Sequence, residues 1–211
     1  MRILVTAGPT REYLDDVRFL SNASSGRMGC AIAAAALARG HDVVLLCGPL
    51  EVAPPPCQIL RAVSTADMLE EACAQLPLVD AVIMAAAPAD FRPAERVQGK
   101  IAKATAPPTV RLVPTPDILA ELARRRTRQV LVGFALEAHD LVPRARQKLE
   151  AKGLDLIVAN GPAAIGAERA TVHILARDGS DAILDDQPKE AVAERLLDIV
   201  ESLVSDRRRA T

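Results

Sequence analysis

Aromatic side chains are nearly absent from this chain. Its 211 residues include no tryptophan, one tyrosine and three phenylalanines, although half of all residues are hydrophobic. The core must therefore be built from aliphatic side chains, which suits parallel strands covered by helices on both faces. With so few rings for stacking bases and a formal net charge of −1, a nucleic-acid partner is not expected.

Signals for several other protein classes are also missing. No apolar run approaches the roughly 20 residues that cross a bilayer, and no signal peptide opens the chain. The four cysteines lack CxxC spacing and the three histidines are scattered, which favours free, buried thiols over a structural metal site. We therefore expect a cytoplasmic protein with no membrane partner, and no metal ligands can be assigned.

Strand and helix patterns alternate along the chain, which predicts a single α/β domain over residues 1–211. The expected fold is Rossmann-like, with a doubly wound, mostly parallel sheet. A β-hairpin at 171–185 is expected as a C-terminal appendage, and residues 205–211 as a frayed tail. Strands are predicted at 2–6, 42–46, 80–85, 130–134 and 155–159, and helices at 25–39, 65–76, from 115–117 onward, 140–152 and 188–204.

Two connections carry functional signals. Residues 21–29, Ser-Asn-Ala-Ser-Ser-Gly-Arg-Met-Gly, lead into a helix, where unpaired N–H groups and the helix dipole attract anions. The segment 85–109 is longer than most connections in compact domains, and such loops are commonly functional. Loops that follow parallel strands gather at one edge of a sheet, which is where ligands bind.

Neither connection matches a common nucleotide motif. The chain has no GxGxxG fingerprint and no P-loop Gly-Lys-Ser/Thr. The specific signal is instead a set of segments in a fixed order. These segments resemble the phosphopantothenate–cysteine ligase family over almost the whole chain: 6–29, Ala-Ala-Ala-Pro-Ala-Asp-Phe-Arg-Pro at 85–93 with Lys-Ile-Ala-Lys at 100–103, Thr-Pro-Asp-Ile-Leu at 115–119, Gly-Phe-Ala-Leu-Glu at 133–137, Lys148, Lys152 and 155–160.

The resemblance implies a two-step ligation in coenzyme A biosynthesis. The carboxylate of 4′-phosphopantothenate would react with CTP, or with ATP, in the presence of Mg²⁺, and cysteine would then form the amide. It also implies a homodimer, for which the hairpin 171–185 offers an exposed edge. Many family members are fused to a flavin-dependent decarboxylase, whereas this chain starts at the ligase strand. We therefore expect no flavin and a separate phosphopantothenoylcysteine decarboxylase as a partner, or an excised domain.

The resemblance further implies roles for individual residues. Asn22 would hold the acyl-cytidylate, and Lys100 would serve the first half-reaction from the tip of a mobile flap, 85–109. Arg27 and Lys103 would contact substrate phosphate. The positions expected around the nucleotide are Gly8, Ser24, Ser25, Gly26, Ala86, Ala87, Asp90, Pro116, Asp117, Ile118, Leu119, Phe134, Lys148 and Lys152.

Ordinary structural explanations exist for the same residues. Asn22 is a good helix N-cap, Asp90 could cap the next turn, and Phe134 could belong to the core. Arg27 could pair with a nearby aspartate. The lysines could be solvated, including the two that are four residues apart on one helix face.

The chain departs from the family pattern at several places. Lys-Ile-Ala-Lys at 100–103 replaces Lys-Ile-Lys-Lys, so the flap has one positive charge fewer. Pro88 lacks an N–H group, so a contact there must use its carbonyl or another N–H. Leu136 replaces an alanine, and residues 161–170 lack the family's Gly-Phe-Gly loop.

Two other functions stay open on the sequence. One is an NAD(P)-dependent Rossmann oxidoreductase, which the missing GxGxxG and the absence of a Tyr-x-x-x-Lys pair disfavour. The other is a non-catalytic nucleotide-binding protein that kept the fold.

Overall fold

An eight-stranded sheet forms the centre of the computed structural model, which describes residues 1–104 and 109–209. In this part of the chain the strands are β1 (Arg2–Ala7), β2 (Arg11–Tyr13), β3 (Phe19–Ser21), β4 (Asp42–Cys47), β5 (Gln58–Arg61), β6 (Ala81–Met84), β7 (Phe91–Pro93), β8 (Leu112–Pro114), β9 (Val130–Leu136), β10 (Leu156–Asn160), β11 (Arg169–Ala176) and β12 (Asp181–Pro188). The sheet order is β12-β11-β10-β9-β6-β1-β4-β5, and the six strands from β10 to β5 are parallel.

Helices cover both faces of this sheet. They are α1 (Arg27–Ala38), α2 (Thr65–Gln75), α3 (Ile118–Arg125), α4 (Leu141–Ala151) and α5 (Lys189–Arg209). Alternate residues of β1 enter opposite cores: Ile3 and Val5 pack towards α1 and α5, and Leu4 packs towards the other three helices. The predicted doubly wound α/β fold, with an aliphatic core, is confirmed.

The predicted C-terminal hairpin is confirmed, but it is not a separate appendage. Strand β11 pairs antiparallel with β10 from Leu156↔Ala176 to Asn160↔Val172, so the hairpin continues the main sheet. Strand β12 then forms the edge of the sheet. Strands β11 and β12 also pair antiparallel, because the tight turn at Asp178-Gly179 that joins them is short and a short turn can join only antiparallel neighbours.

Two small ribbons were not predicted from the sequence. Strands β2 and β3 pair with each other, and so do β7 and β8. Each strand has three residues, which is too short for a hydrophobic period to be visible. Ribbon β2–β3 contains Glu12, which is buried because its Oε1 accepts a 2.7 Å hydrogen bond from the N–H of Thr65.

Two predicted helix ends were wrong. Helix α1 begins at Arg27 rather than at residue 25, because Gly26 is its N-cap with a left-handed φ of 79°. Helix α5 continues to Arg209, where a frayed tail was predicted from 205. Its last turn is fixed by ion pairs, from Arg207 to Asp155 at 2.5 Å and from Arg208 to Asp80 at 2.9 Å. Residues 105–108 of the predicted flap and 210–211 of the predicted tail lie outside the described residues.

Burial differs among the four cysteine side chains. All four cysteines are free; Cys30 and Cys47 are buried, while Cys57 and Cys73 are only half-buried. Burial raises the pKa of each thiol. Among the helices of residues 1–104 and 109–209, none combines the length and apolar composition that a bilayer crossing requires.

The carboxylate of Asp155 joins the last helix to the sheet. Its side chain is 6% exposed and contacts the guanidinium groups of Arg126 and Arg207, each at 2.5 Å. Its Oδ2 also accepts a 2.8 Å hydrogen bond from the N–H of Leu131 at the start of β9. One buried carboxylate therefore holds together the end of α3, the start of β9 and the C-terminal turn of α5.

We predict that Asp155→Asn lowers the free energy of unfolding by about 3 kcal/mol, because two arginines lose their buried counter-charge. Urea unfolding followed by circular dichroism measures this loss. Asp42→Asn is the control, since Asp42 pairs with Arg2 at the surface, with its side chain 66% exposed, and such pairs contribute about 1 kcal/mol or less. Equal losses in the two variants would contradict the role given to Asp155.

Candidate active site

A cleft of about 710 Å³ opens at the carboxyl edge of the sheet. Its walls include the connection into α1, the loop that follows β6, the start of α3, and the ends of β9 and β10. This is where ligands bind in open parallel sheets. The segments that the resemblance singled out converge here, except for residues around Gly8 and the 100–103 segment.

The first wall is the connection into α1. Gly26 caps the helix in a left-handed conformation, and a side chain there would meet Leu50 Cδ2 at 2.3 Å. No side chain caps this helix end within the described residues, and the N–H of Arg27 is 3.5 Å from Ser25 Oγ. The first turn of α1 therefore presents N–H donors and the positive end of its dipole to the cleft.

Asn22 joins this wall to the loop after β6. Its Nδ2 donates to the carbonyl oxygens of Ala87 at 3.3 Å and Pro88 at 3.0 Å. The residue is therefore not the N-cap of α1. The contact at Pro88 uses the carbonyl group, as the missing proline N–H requires.

Threonine hydroxyls fix the backbone of that loop. The N–H of Ala86 donates to Thr6 Oγ1 at 3.0 Å, and the N–H of Ala89 donates to Thr10 Oγ1 at 2.9 Å. From the other side, Thr115 Oγ1 donates to the carbonyl of Ala89 at 2.6 Å. The loop that carries Ala86, Ala87 and Asp90 is thus held in one conformation before any ligand binds.

Gly8 supports the same loop from behind. Its carbonyl oxygen accepts a 2.9 Å hydrogen bond from the N–H of Ala87. Its φ is 74°, and a side chain would meet the carbonyl of Pro49 at 2.5 Å. Gly8 is not among the residues that line the cleft.

The start of α3 forms another wall of the cleft. Asp117 is the N-cap, and its Oδ1 accepts a 3.1 Å hydrogen bond from the N–H of Ala120. Lys152 Nζ lies 2.8 Å from Asp117 Oδ2. Burial raises the pKa of Asp117, but the contact with Lys152 and the backbone donors outweigh it and the pKa is lowered.

Glu137 holds the second lysine. This carboxylate follows β9, is buried, and contacts Lys148 Nζ at 2.5 Å and Arg144 Nε at 2.6 Å. The contact with Lys148 lowers the pKa of Glu137, and burial only partly opposes it. Glu137 belongs to the quoted 133–137 segment but was not among the predicted site residues.

Lys189, the first residue of α5, was missed altogether. Its side chain is 7% exposed and lines the cleft near Arg27. Burial, and then the charge of Arg27, lower the pKa of this ammonium group. The sequence contained a signal for it, because Lys189 falls in the first turn of the predicted helix 188–204. A cation in that position is destabilised by the helix dipole unless an anion binds nearby.

The structure brings most of the predicted site residues together. Those that line the cleft are Asn22, Ser24, Ser25, Gly26, Arg27, Ala86, Ala87, Asp90, Pro116, Asp117, Ile118, Leu119, Phe134, Lys148 and Lys152. Phe134 is half-buried rather than part of the closed core. Arg27 is exposed, and within the described residues it has no aspartate partner.

Lys100 and Lys103 are not brought into this cleft. Lys100 lines a second cavity of about 610 Å³ with Leu14 and Val97. The N–H of Gly99 donates to Asp16 Oδ2 at 2.7 Å, and the N–H of Ile101 donates to Asp15 Oδ2 at 3.1 Å. The segment that carries Lys100 therefore rests on the 15–16 turn.

Asp15 is the more buried of these two anchors. Burial raises its pKa, but hydrogen bonds from the N–H groups of Val17, Arg18 and Ile101 and from the Arg18 side chain lower it to about 2. The carboxylate thus stays ionised at physiological pH. It binds one end of the flap to the β2–β3 turn.

Metal-binding side chains are sparse. Across residues 1–104 and 109–209 no group of three or more His, Cys, Asp or Glu side chains converges on one point. Asp90 and Asp117 line the cleft, and Asp117 already pairs with Lys152.

Comparisons with known proteins agree with this architecture. The bifunctional coenzyme A biosynthesis protein CoaBC of Bacillus subtilis is 40% identical over 207 residues, which are 95% of this chain and 51% of that protein. CoaBC of Escherichia coli K12 is 38% identical over 218 residues, covering 99% of this chain and 53% of that protein. The chain thus spans about half the length of these curated relatives.

Solved structures share the fold. The crystal structure of the C-terminal domain of CoaBC has a TM-score of 0.85 at 36% identity and covers 97% of this chain and 96% of that one. A Cab2 mutant in complex with phosphopantothenate-cysteine has a TM-score of 0.83 at 20% identity, over 99% of this chain and 89% of that one, and shows likeness of fold alone. The family model of the DNA/pantothenate metabolism flavoprotein C-terminal domain matches residues 1–203. Because these matches cover nearly the whole chain, the chain belongs to the family of the DNA/pantothenate metabolism flavoprotein C-terminal domain.

Proposed function

We propose that this chain is a phosphopantothenate–cysteine ligase that uses CTP. The observation that carries the proposal is the convergence of Asn22, the loop 86–90 and the start of α3 at residues 116–119 on one cleft. Membership of the family and the names of the relatives support it. The Cab2 structure, which has the same fold, holds phosphopantothenate-cysteine.

The reaction would proceed in two displacements. A carboxylate oxygen of 4′-phosphopantothenate attacks the α-phosphorus of CTP, and pyrophosphate leaves. The cysteine amine then attacks the acyl carbon of the acyl-cytidylate, CMP leaves, and the amine loses a proton. Both displacements bring anions together, so the protein must supply fixed donors and cations where charge develops.

The walls of the cleft match these needs. Phe134, Ile118 and Leu119 form an apolar surface on which a cytosine ring can lie. Asn22 donates to the carbonyls of the 86–88 loop, so its amide is placed against the backbone that the nucleotide would contact. A neutral amide can hold a phosphoryl or acyl oxygen without changing its charge state.

Mg²⁺ fits this donor set only as a nucleotide-bound ion. Magnesium is usually held by one or two carboxylates together with substrate phosphates and water, rather than by a protein cage. Asp90 is the carboxylate of the cleft that could take this part. When bound, Mg²⁺ would offset the charge of the triphosphate.

Lys100 would reach the nucleotide by a movement of its segment. Lys100 is exposed, and Gly99 beside it has a φ of 77°, with open space where a Cβ would point. The segment could leave Asp16 and close over the cleft, as lids commonly do. Lys103 would move with it. The ligated product would pass to a phosphopantothenoylcysteine decarboxylase.

A second copy of the chain is the proposed partner in a homodimer. Exposed apolar side chains concentrate on the two ribbons, at Phe19, Leu20, Phe91 and Leu112. Strand β12, the contact expected from the sequence, also exposes Ile183, but charged Asp181, Asp185 and Asp186 discourage edge pairing there. The ribbons are therefore the better candidate for the dimer contact.

The ligase proposal predicts that the chain releases pyrophosphate from CTP only when 4′-phosphopantothenate is present, and forms the amide when cysteine is added. A coupled pyrophosphate assay and mass spectrometry of the product measure both steps. ATP is tested in parallel, and CTP should be used faster. Thermal stabilisation by NAD(P) but not by CTP or ATP, with no pyrophosphate released, would exclude the proposal.

Two substitutions should separate the half-reactions. Lys100→Gln should slow pyrophosphate release by about 10²-fold or more, because a cation that offsets developing charge is lost. Asn22→Asp should slow amide formation more than single-turnover pyrophosphate release, because a carboxylate cannot donate to the intermediate. Arg111→Gln is the control for Lys100, since it removes a charge from the same second cavity. Normal amide formation by Asn22→Asp would remove that residue from its role.

The dimer proposal predicts that Leu112→Ser weakens self-association about tenfold or more, whereas Ile183→Ser leaves it unchanged. Sedimentation velocity over a range of concentrations measures both. A wild-type chain that stays monomeric, or a loss caused by Ile183→Ser alone, would contradict the assignment of the contact to the ribbons.

A further inference from the structure

Positive charge is unequally neutralised along the cleft. Lys148 lies against Glu137, and Lys152 lies against Asp117. Arg27 and Lys189 also line the cleft, but within the described residues neither forms a hydrogen bond or ion pair with a carboxylate through its side chain, although the charge of Glu190 acts on Lys189. One end of the cleft is therefore close to neutral, and the other has two cations that the described residues leave without an ion-pair partner.

Lys189 occupies a position that is unfavourable for a cation in the unliganded chain. It is more than nine-tenths buried, it stands at the N-terminus of α5, and it is close enough to Arg27 for the two charges to repel. Burial, the helix dipole and the like charge of Arg27 disfavour the ammonium form, and the neighbouring Glu190 only partly opposes them. A bound anion would offset these effects, because it supplies a counter-charge to the ammonium group.

The same end of the cleft provides hydrogen-bond donors. Helix α1 begins at Arg27 with no side-chain cap, so N–H groups of its first turn are available, apart from that of Arg27, which lies 3.5 Å from Ser25 Oγ. Ser24 lines this wall as well. Ala164 and Gly166, which also line the cleft, are small and leave space for a ligand. Backbone donors, a hydroxyl and two cations together suit a phosphate group of high charge.

Asp117 indicates the direction in which a nucleotide would lie. It belongs to the start of α3, which lines the cleft together with Phe134. Its carboxylate neutralises Lys152, so this wall offers little net charge to a polyphosphate, but it can accept hydrogen bonds from ribose hydroxyls or a cytosine amine. The nucleoside therefore belongs at this wall, and its phosphates belong towards Arg27 and Lys189.

We propose that Lys189, together with Arg27 and the first turn of α1, binds the β- and γ-phosphates of the nucleotide and stabilises the departing pyrophosphate. This inference rests on the proposed function and adds a residue to it. The first displacement transfers the electron pair of the α–β bridging P–O bond to pyrophosphate, whose charge thereby rises. Lys189 stays protonated throughout and acts by its charge.

The test is the binding of inorganic pyrophosphate to the intact chain by isothermal titration calorimetry, without other substrates. Lys189→Met should weaken binding about tenfold or more, because one charge-assisted contact is lost while the buried stem is kept. Lys189→Arg should retain most of the affinity. Arg195→Met is the matched control, since it removes one charge from the exposed side of the same helix, and it should bind as the wild type does.

Steady-state kinetics identify which phosphate is bound. Lys189→Met should raise KM for CTP and lower kcat for pyrophosphate release, with KM for 4′-phosphopantothenate unchanged. A rise in KM for 4′-phosphopantothenate alone would overturn the proposal, because the pair would then bind the 4′-phosphate. Undiminished pyrophosphate binding by Lys189→Met, or no binding by the wild type, would also overturn it.

Two further comparisons separate the loss of this phosphate subsite from misfolding and from failure of the ligase proposal. If Lys189→Met does not fold, as judged by circular dichroism, Arg27→Met replaces it, since Arg27 is exposed and its removal should weaken pyrophosphate binding to a similar extent. If the wild type binds pyrophosphate through Lys189 but forms no amide, the ligase proposal fails and the subsite stands. If the wild type forms the amide while Lys189→Met binds pyrophosphate normally, the ligase proposal stands and the phosphate subsite is excluded.

Discussion

Close contact between helix α1 and strand β1 is the constraint on which the site depends. Gly29 makes it possible, because a side chain there would lie 2.5 Å from Ala7 Cβ and 2.6 Å from the carbonyl oxygen of Thr6. A glycine inside a helix costs roughly 0.5–1 kcal/mol relative to alanine. In return the start of α1 sits directly on the sheet, and this places Asn22 and Arg27 at the edge of the cleft.

Strand β1 also orders the opposite wall. The hydroxyls of Thr6 and Thr10, on β1 and just after it, accept hydrogen bonds from Ala86 and Ala89. The anion-binding helix end and the loop after β6 are thus both fixed by one strand. Preorganised donors are most useful where charge develops during a reaction, since they need no rearrangement at that moment. Helix α5, packed against α1, adds Lys189 to the same edge.

Much of the fold was accessible from the sequence, and so was most of the site. The aliphatic strands and the alternation of elements are local patterns, and they predicted the parallel sheet correctly. The three-residue ribbons were missed, because pairing over so few residues leaves no period. Residues 205–209 look like a frayed basic tail, yet Arg207 reaches the buried Asp155, a partner 52 positions away. Such long-range charge pairing has no local signature.

The sequence by itself determined which chemical groups are present and on which elements they stand, because hydrophobic period, turn residues and caps act over a few positions. The family resemblance assigned Lys148 and Lys152 to the nucleotide, and Arg27 to substrate phosphate. Only the tertiary structure decided that Glu137 and Asp117 neutralise Lys148 and Lys152, and that Lys189 joins Arg27 beside the uncapped helix end. It also decided that Asp15 and Asp16 bind the backbone on either side of Lys100. Charge is a property of residues, whereas its compensation depends on neighbours that the fold brings together.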